Sequence, residues 1–296
     1  RHITGTSIPE TYVTAMRSSI VVLSALLGRM GEGRSCYPGG CLIGARPIDL
    51  HLMALQALGA EIKEHDGLIE ARCRDAQGLK GTEIHLPYPS VGATEQAILA
   101  SVLAKEVTVI HGAAKEPEIS QLCRFLNNMG AVICGMGTDH LMIQGVEELH
   151  DSSFRVEGDR IVAGTYAAAV MAAMGSITLK EVRAAELELP LEMLKRSGAS
   201  IQKDSCCRQI RIEMKKRPLP LDIKTGPYPE FPTDLQSPYM AFLASGQGTS
   251  TIVEQVFEGR FATAKALVQM GAAVETEGQR AVIKGSYPLK GASVYA

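Results

Sequence analysis

Residues 36–51, C-Y-P-G-G-C-L-I-G-A-R-P-I-D-L-H, concentrate side chains that could do chemistry. The Pro-Gly-Gly run predicts a loop, because proline fixes φ and removes a donor while glycine allows positive φ. Cys41 ends this loop, and Arg46 follows five residues later, close enough to favour a thiolate or to hold an anion beside it. The pattern indicates a reactive Cys41 near an anionic substrate, with an ordinary cysteine in a turn as the alternative. A thiol phosphatase loop fits poorly. Such a loop needs five residues between the cysteine and the arginine, where this chain has four, and a histidine before the cysteine, where this chain has Gly40.

A carboxylate follows a proline-rich segment at residues 226–236, G-P-Y-P-E-F-P-T-D-L-Q. The prolines disfavour regular structure, so Asp234 is predicted to stand on a stiff loop just before a helix that includes residues 239–243. A carboxylate there can act as a general base if it comes within about 3 Å of a substrate hydroxyl. The same pattern fits an aspartate that caps the helix equally well.

The small residues of P-S-V-G-A-T, at 89–94, precede a predicted helix over residues 96–104. Such a loop offers the free N–H groups of a helix N-terminus to an anion, and a diphosphate is one possible ligand. A plain N-cap loop is the alternative.

The composition limits the classes of protein to consider. The 296 residues suffice for two ordinary domains or one large one, and 46% hydrophobic residues can form a buried core. The net charge of −2 shows no basic bias toward nucleic acid. Seven cysteines form no regular framework and no pair has zinc-site spacing, so reduced thiols in a cytoplasmic protein are expected. The longest apolar run, residues 161–177, is interrupted by glycines and too short to span a bilayer comfortably, so no membrane partner is expected.

Periodicity predicts alternating helices and strands. Apolar residues at helical spacing predict a helix over residues 12–29, which contains Arg17, and another over residues 48–58. Asp66-Gly67 predicts the turn of a hairpin within residues 61–72. Runs rich in β-branched residues predict strands over 107–111, 177–181 and 249–256. The class is therefore α/β, with helices packed on sheets.

An internal repeat runs through the chain. Gly-Ala pairs at Gly59, Gly130, Gly198 and Gly271 recur about 70 residues apart with matching flanks, a period longer than that of solenoid repeats. Each copy is predicted to contain a helix, the Gly-Ala pair, a turn and several strands. A new copy opens near R-V-E-G-D-R-I-V-A-G-T, so the predicted domains are residues 1–158 and 159–296.

Four segments carry a family resemblance: the cysteine loop, S-V-G-A-T at 90–94, F-P-T-D-L-Q at 231–236 and V-F-E-G-R-F at 256–261. They resemble the UDP-N-acetylglucosamine enolpyruvyl transferase family, which opens bacterial cell-wall synthesis and is inhibited by fosfomycin. The resemblance implies a fold of two similar domains, each with three βαβαββ units, and substrates in the cleft between the domains. This chain would hold about four of the six units. The chain departs from the family pattern at three positions. Tyr88 stands where some family members have lysine, Gly158 where the family has proline, and Gly259 where it has asparagine.

The resemblance also implies roles for individual residues. Residues in positions that bind the UDP-sugar are Arg17, Arg46, Pro47, Ile48, Asp49, Leu50, Ser90, Val91, Gly92, Asp234 and Val256. Weaker candidates for polar contacts at the cleft are Glu116, Asp159, Glu258 and Arg260.

The implied reaction transfers enolpyruvyl from phosphoenolpyruvate to the 3'-hydroxyl of UDP-N-acetylglucosamine and releases phosphate. Asp234 would take or steer the hydroxyl proton, and Cys41 would protonate the methylene carbon or add to phosphoenolpyruvate. Arg46 and Arg17 would offset anionic charge. The resemblance implies no metal and no cofactor.

The chain opens with Arg1, and the family's Lys-Asn pair near the N-terminus and D-x-R near the C-terminus find no match in it. We therefore expect a partial chain that binds phosphoenolpyruvate poorly. Two alternatives to the proposed activity are a non-catalytic UDP-sugar-binding homologue and the related shikimate-phosphate enolpyruvyl transferase. The cysteine loop and A-R-P-I-D-L-H argue against the second alternative.

Overall fold

The computed structural model describes residues 3, 5–40, 43–204, 206, 208–286 and 288–294. These residues divide into two compact units. The first unit holds the described residues of 3–40 and 47–155, and the second holds residues 43–46 and the described residues of 156–294. The predicted boundary between domains, at residues 158 and 159, stays a prediction.

The first unit alternates helices and strands as expected. Its helices are α1 (Glu10–Ala15), α2 (Val22–Met30), α3 (Asp49–Ala57), α4 (Val91–Ser101) and α5 (Pro117–Asn128). Its strands are β1 (Glu32–Cys36), β2 (Ala60–His65), β3 (Leu68–Cys73), β4 (Glu83–His85), β5 (Val107–His111), β6 (Val132–Cys134) and β7 (His140–Gln144).

The prediction of one helix over residues 12–29 is wrong. Met16 has extended backbone angles and ends α1, and a 3₁₀ turn, Arg17–Val21, precedes α2. The Ser19 hydroxyl donates to the carbonyls of Val13 and Met16, so a side chain takes the place of helical N–H donors at the break.

The second unit repeats the same alternation. Its helices are α6 (Arg160–Ala173), α7 (Glu188–Arg196), α8 (Gln236–Ala244) and α9 (Ala262–Gln269), with 3₁₀ turns at Ala184–Leu187 and Thr233–Leu235. Its strands are β8 (Ser176–Lys180), β9 (Ser200–Lys203), β10 (Gln209–Glu213), β11 (Asp222–Lys224), β12 (Thr249–Val253), β13 (Ala273–Glu277) and β14 (Arg280–Lys284).

The strands described form four sheets that share one plan. Two four-stranded sheets have the orders β4-β5-β7-β6 and β11-β12-β14-β13, in which the first pair is parallel and the others are antiparallel. Each of these two sheets belongs to a complete βαβαββ unit. The three-stranded sheets, β1-β3-β2 and β8-β10-β9, have the same order without the first strand. In the first of them a parallel bridge from Ser7 to Arg34 occupies the missing place.

The glycines of the predicted repeat have one structural role. Gly59, Gly130, Gly198 and Gly271 follow the ends of α3, α5, α7 and α9 with φ values of 92°, 100°, 109° and 87°. This left-handed conformation ends a helix at little cost only for glycine. The α/β class and the repeat of about four units are therefore confirmed.

Each unit encloses its own hydrophobic core, built from one face of each sheet and the helices that cover it. The first core includes the fully buried residues Leu23, Leu55, Ile69, Ile98 and Ile110. The second includes Leu194, Ile210, Tyr239, Phe242 and Ile252. Within the described part of the chain, no helix has both the length and the apolar character to cross a membrane.

Candidate functional site

One group of predicted site residues meets in the first unit, on a patch that we call the first surface and define by Arg17, Pro47, Ser90 and Gly92. Arg17 begins the 3₁₀ turn, and its Nη2 donates to the Pro47 carbonyl over 3.0 Å. Pro47 directly precedes the turn into α3, and Asp49 lies exposed in the first turn of that helix. The guanidinium of Arg17 is thereby fixed beside the start of α3.

His51 lies beneath this surface and was missed as a functional residue. It is 6% exposed, and a Cβ added to Gly92 would come 2.7 Å from the His51 Cε1 atom, so only glycine fits over the ring without a shift. Burial lowers the pKa of His51 to about 4, the Arg17 cation adds to this effect, and Gln96 and Asp49 oppose it. The imidazole is therefore neutral at pH 7, and Arg17 supplies the positive charge here.

Helix α4 presents its N-terminus at the same surface. It begins at Val91, five residues earlier than predicted, because Ser90 caps it. The Ser90 hydroxyl accepts from the Ala93 N–H over 3.3 Å, and the Ser90 carbonyl accepts from the Thr94 N–H over 3.0 Å. These bonds occupy the third and fourth N–H groups of the helix. The N–H groups of Val91 and Gly92 are the two that helix geometry leaves available to an anion.

The loop that leads to Cys41 lies against the start of the first unit, and Cys41 itself is outside the described residues. The Gly39 N–H donates to the Val13 carbonyl over 3.1 Å, and a Cβ at Gly39 would come 1.8 Å from the Thr14 carbonyl oxygen. Gly40 has φ +106° and lies against the Cβ of Arg17. The Pro-Gly-Gly run therefore has the loop conformation predicted, and its glycines permit close contact between two backbone segments.

A second group meets in the second unit, on a patch that we call the second surface and define by Arg46, Asp234, Val256, Phe257 and Arg260. The guanidinium carbons of Arg46 and Arg260 lie 5.4 and 5.3 Å from the centre of the Phe257 ring. Both distances are within the range of cation–π attraction. The Gly259 N–H also donates to the Ile43 carbonyl over 3.1 Å, which ties residues 43–46 to this loop.

Asp234 is the carboxylate of this surface. It lies in the 3₁₀ turn Thr233–Leu235, where its Oδ1 accepts from Arg260 Nη2 over 2.5 Å. The interpretation of Asp234 as a helix cap is wrong, because Leu235 holds the N-cap position of α8 and makes no side-chain cap. The Asp234 side chain is 54% exposed while Arg260 is 17% exposed. The carboxylate is thus oriented by one partner and open to a ligand.

A buried carboxylate, Glu254, orders the loops of the second surface. It is 1% exposed and follows strand β12. Its Oε1 accepts from the Thr225 hydroxyl and from the N–H groups of Val256 and Phe257, at 2.9, 2.9 and 3.2 Å. Its Oε2 accepts from the Thr233 hydroxyl over 2.9 Å. Glu254 thereby connects the turn that carries Asp234 to the loop that carries Phe257.

Sequence reasoning missed Glu254 because nothing in the pattern distinguishes it from a surface charge. The only available signal is its place directly after the buried strand T-S-T-I-V, where a carboxylate that could not find donors would be costly.

Comparison with known proteins identifies the family. All of residues 1–296 match the family model described as EPSP synthase (3-phosphoshikimate 1-carboxyvinyltransferase). The chain belongs to the EPSP synthase family. Within this family, a curated relative from Caldanaerobacter subterraneus is 45% identical over the whole chain and is named UDP-N-acetylglucosamine 1-carboxyvinyltransferase 2. A Zymomonas mobilis relative, 47% identical over 99% of the chain, is named UDP-N-acetylglucosamine 1-carboxyvinyltransferase. The chain spans 70% and 68% of these two proteins.

Two solved structures of enolpyruvyl transferases share the fold. The enolpyruvyl transferase NikO from Streptomyces tendae matches with a TM-score of 0.81 at 20% identity, over 95% of this chain and 66% of that one. EPSP synthase from Acinetobacter baumannii matches with a TM-score of 0.63 at 18% identity, over 90% and 63%. At this identity the match concerns the fold alone. The resemblance to UDP-N-acetylglucosamine enolpyruvyl transferases is confirmed by the curated relatives.

Four other positions that the family pattern singled out, Ile48, Leu50, Glu116 and Asp159, have side chains that are buried, packed on the core or used to cap a helix. Ile48 is 6% exposed and belongs to the first core, and Leu50 packs against that core. Asp159 caps α6 by accepting from the N–H groups of Ile161 and Val162 at 2.7 and 3.1 Å. Glu116 holds the N-cap position of α5 but makes no side-chain cap there, and it is 7% exposed.

Proposed function

We propose that the chain carries the substrate-binding residues of a UDP-N-acetylglucosamine enolpyruvyl transferase, which moves enolpyruvyl from phosphoenolpyruvate to the 3'-hydroxyl of the amino sugar. The observation that carries the proposal is the Asp234–Arg260 pair, a carboxylate that is oriented by a cation yet open to a ligand. The names of relatives at 44–47% identity support the choice of acceptor.

On the second surface, Asp234 accepts the proton of the sugar 3'-hydroxyl as the hydroxyl oxygen adds to C2 of phosphoenolpyruvate. Arg260 donates to this carboxylate and holds it in position, and the Arg260 guanidinium itself packs on the Phe257 ring. Arg46 lies on the same ring and offsets anionic charge of the substrates. Val256, fixed by its N–H bond to Glu254, contacts the UDP-sugar.

On the first surface, Arg17 and the start of α4 hold anionic groups of the nucleotide. The N–H groups of Val91 and Gly92 and the cap at Ser90 form the anion site. Pro47, Ile48, Asp49 and Leu50 contact the nucleotide, with Ile48 restricted to its backbone because its side chain is in the core.

In this proposal Cys41 completes the addition by giving its thiol proton to the methylene carbon of phosphoenolpyruvate as the sugar oxygen bonds to C2. In the alternative order, the Cys41 thiol first adds across the double bond, with sulfur on C2 and its proton on the methylene carbon, and the sugar oxygen then replaces the sulfur, which leaves as the thiolate. Loss of a proton from the new methyl group and departure of phosphate then restore the double bond, in an enolpyruvyl group bonded to the 3'-oxygen of the sugar. The process corresponds to cytoplasmic peptidoglycan synthesis, and so to cell-wall biogenesis, cell shape and cell division.

Phosphate release from phosphoenolpyruvate tests the proposal, with UDP-N-acetylglucosamine and shikimate 3-phosphate compared as acceptors. Phosphoenolpyruvate is supplied at high concentration, because the partial chain is expected to bind it poorly. We expect release with the first acceptor only, and a decrease of about 10²–10⁴-fold in Asp234→Asn with little change in affinity for the UDP-sugar. Asp222→Asn, which alters an exposed aspartate on β11, is the matched control and should retain the activity.

Three results would count against the proposal. Release with shikimate 3-phosphate would identify the other acceptor. Saturable binding of UDP-N-acetylglucosamine without any release would favour the non-catalytic homologue. Equal activity in Asp234→Asn and the parent chain would remove Asp234 from the mechanism.

A further inference from the structure

Three histidines lie side by side on the outer face of the sheet β4-β5-β7-β6. His85 on β4 is paired in register with His111 on β5, and His111 is paired with His140 on β7. Side chains two residues apart on a strand share a face, so Glu83 lies on the same face as His85. The alternate positions, such as Ile84 and Ile110, are buried in the core. The fold therefore brings four side chains that can bind metal, one glutamate and three histidines, to one exposed patch.

The side chains of Glu83, His85 and His111 converge. One ligand atom from each lies within 4.8 Å of the others. The Glu83 Oε2 is 3.5 Å from His85 Nε2 and 3.8 Å from His111 Nε2. Two imidazole nitrogens and one carboxylate oxygen are the set of three ligands used in open zinc sites.

His140 supplies the outer contact that such a site needs. Its Nδ1 lies 3.3 Å from the Nδ1 of His111, so one of the two nitrogens carries the shared proton. When His111 carries it, the Nε2 of His111 has a lone pair directed to a cation, and His140 acts as the acceptor that fixes this tautomer. The His85 ring stacks on His111 with centroids 4.4 Å apart and planes at 2°, so the exposed His85 side chain must turn for its Nε2 lone pair to meet an ion held by His111.

We propose that Glu83, His85 and His111 bind one divalent transition-metal ion of the zinc class, with His140 orienting His111 and solvent completing the coordination. The ion has ready access, because the Glu83 and His85 side chains are 69% exposed. None of these residues is among those assigned to enolpyruvyl transfer. The site is thus an additional property of this chain, independent of the proposed reaction.

Zinc affinity measured by competition with a fluorescent chelator tests the proposal on the full chain and on single variants. Every variant retains the seven cysteines, so differences report the histidine patch and not the thiols. We expect His85→Ala and His111→Ala to weaken binding at least tenfold and His140→Ala to weaken it about 10–100-fold. His140→Gln, which keeps an acceptor, should recover part of that loss. His65→Ala, at an exposed histidine on β2, is the control and should bind as the parent does.

Nitrogen-15 NMR of the histidine rings provides a second readout. Zinc should shift the Nε2 resonances of His85 and His111 and leave the Nδ1 of His111 protonated. His85, His111 and His140 are on the outer face of the sheet β4-β5-β7-β6, so their variants should stay folded. Circular dichroism would verify the fold. Equal zinc affinity in the parent, His85→Ala and His111→Ala, or zinc shifts confined to other histidines, would overturn the proposal.

Discussion

The first surface is organised around a buried histidine, whereas the second surface is organised around a buried carboxylate. His51 is kept neutral by burial and accommodated by Gly92, so packing and backbone shape hold that surface together. Glu254 accepts four hydrogen bonds and connects loops that are far apart in the chain. Apolar packing tolerates small changes in shape, but a buried carboxylate that loses its donors is costly. The second surface should therefore be the more sensitive to a single substitution beneath it.

Glu254→Ala should have the largest effect on stability. Two hydroxyls and two N–H groups lose their acceptor in a buried place, which we expect to cost about 3–6 kcal/mol of unfolding free energy in the second unit. Urea unfolding followed by circular dichroism measures the loss, and hydrogen exchange should assign it to the second unit. Glu275→Ala, at an exposed residue on β13, should change stability by less than about 1 kcal/mol. Similar losses in the two variants would contradict the role given to Glu254.

The pH dependence of stability tests the neutral histidine of the first surface. The folded pKa of His51, about 4, lies below its unfolded value of 6.5, so this group's contribution is present above pH 6.5 and is lost as the pH falls toward 4. Glu95 acts in the opposite direction, because burial, with a smaller effect from Glu118, raises its pKa to about 7. Its contribution is present below pH 4.5 and is lost as the pH rises toward 7. The two effects offset each other in the parent chain.

Single variants should separate these opposing contributions. Between pH 5 and 6.5, either group acting without the other should change the unfolding free energy by about 2 kcal/mol. We expect the unfolding free energy of His51→Gln to fall with rising pH, relative to the parent, and that of Glu95→Gln to rise. Urea titrations at the two pH values measure both slopes, with His65→Gln as a control at an exposed histidine. Parallel pH profiles for all four proteins would show that neither group is perturbed by burial.

Ser90→Ala should have the smallest effect. The substitution removes the cap on Ala93 while leaving the N–H groups of Val91 and Gly92 in place, so a loss of about 1 kcal/mol is expected. Affinity for UDP-N-acetylglucosamine, measured by calorimetry, should fall only slightly. Ser200→Ala, at an exposed position on β9, should be within about 0.5 kcal/mol of the parent. A loss of binding as large as that of Arg17→Ala would mean that the Ser90 side chain itself contacts the ligand.

The sequence predicted well those features that depend on local backbone chemistry. Gly59 and its three counterparts mark the helix ends, since a left-handed residue after a helix is strongly restricted to glycine. The prolines before Asp234 correctly indicated an irregular segment ahead of a helix. The prediction failed at Met16, where the break depends on side-chain hydrogen bonds of Ser19 and not on a helix-breaking residue.

Features that depend on contacts between distant segments could not be predicted. Glu254 is recognisable only when residues 225, 233 and 256 are brought to it. The histidine patch combines residues from three strands that are distant in the chain and have no common spacing. No sequence motif for a metal site could therefore indicate it. Roles taken from the family pattern at Asp234 and Arg46 came from the resemblance, because charge and spacing alone left surface positions equally possible.

Intact-mass spectrometry after fosfomycin treatment, with and without UDP-N-acetylglucosamine, tests whether this chain has both a UDP-sugar site and a reactive Cys41. We expect a single adduct that increases when the UDP-sugar is present, disappears in Cys41→Ala and persists in Cys36→Ala. Such a result would require a UDP-sugar site and an activated Cys41 in the same chain. A folded sample that forms no adduct, or one whose adduct is unaffected by the UDP-sugar or retained in Cys41→Ala, would contradict the proposed function.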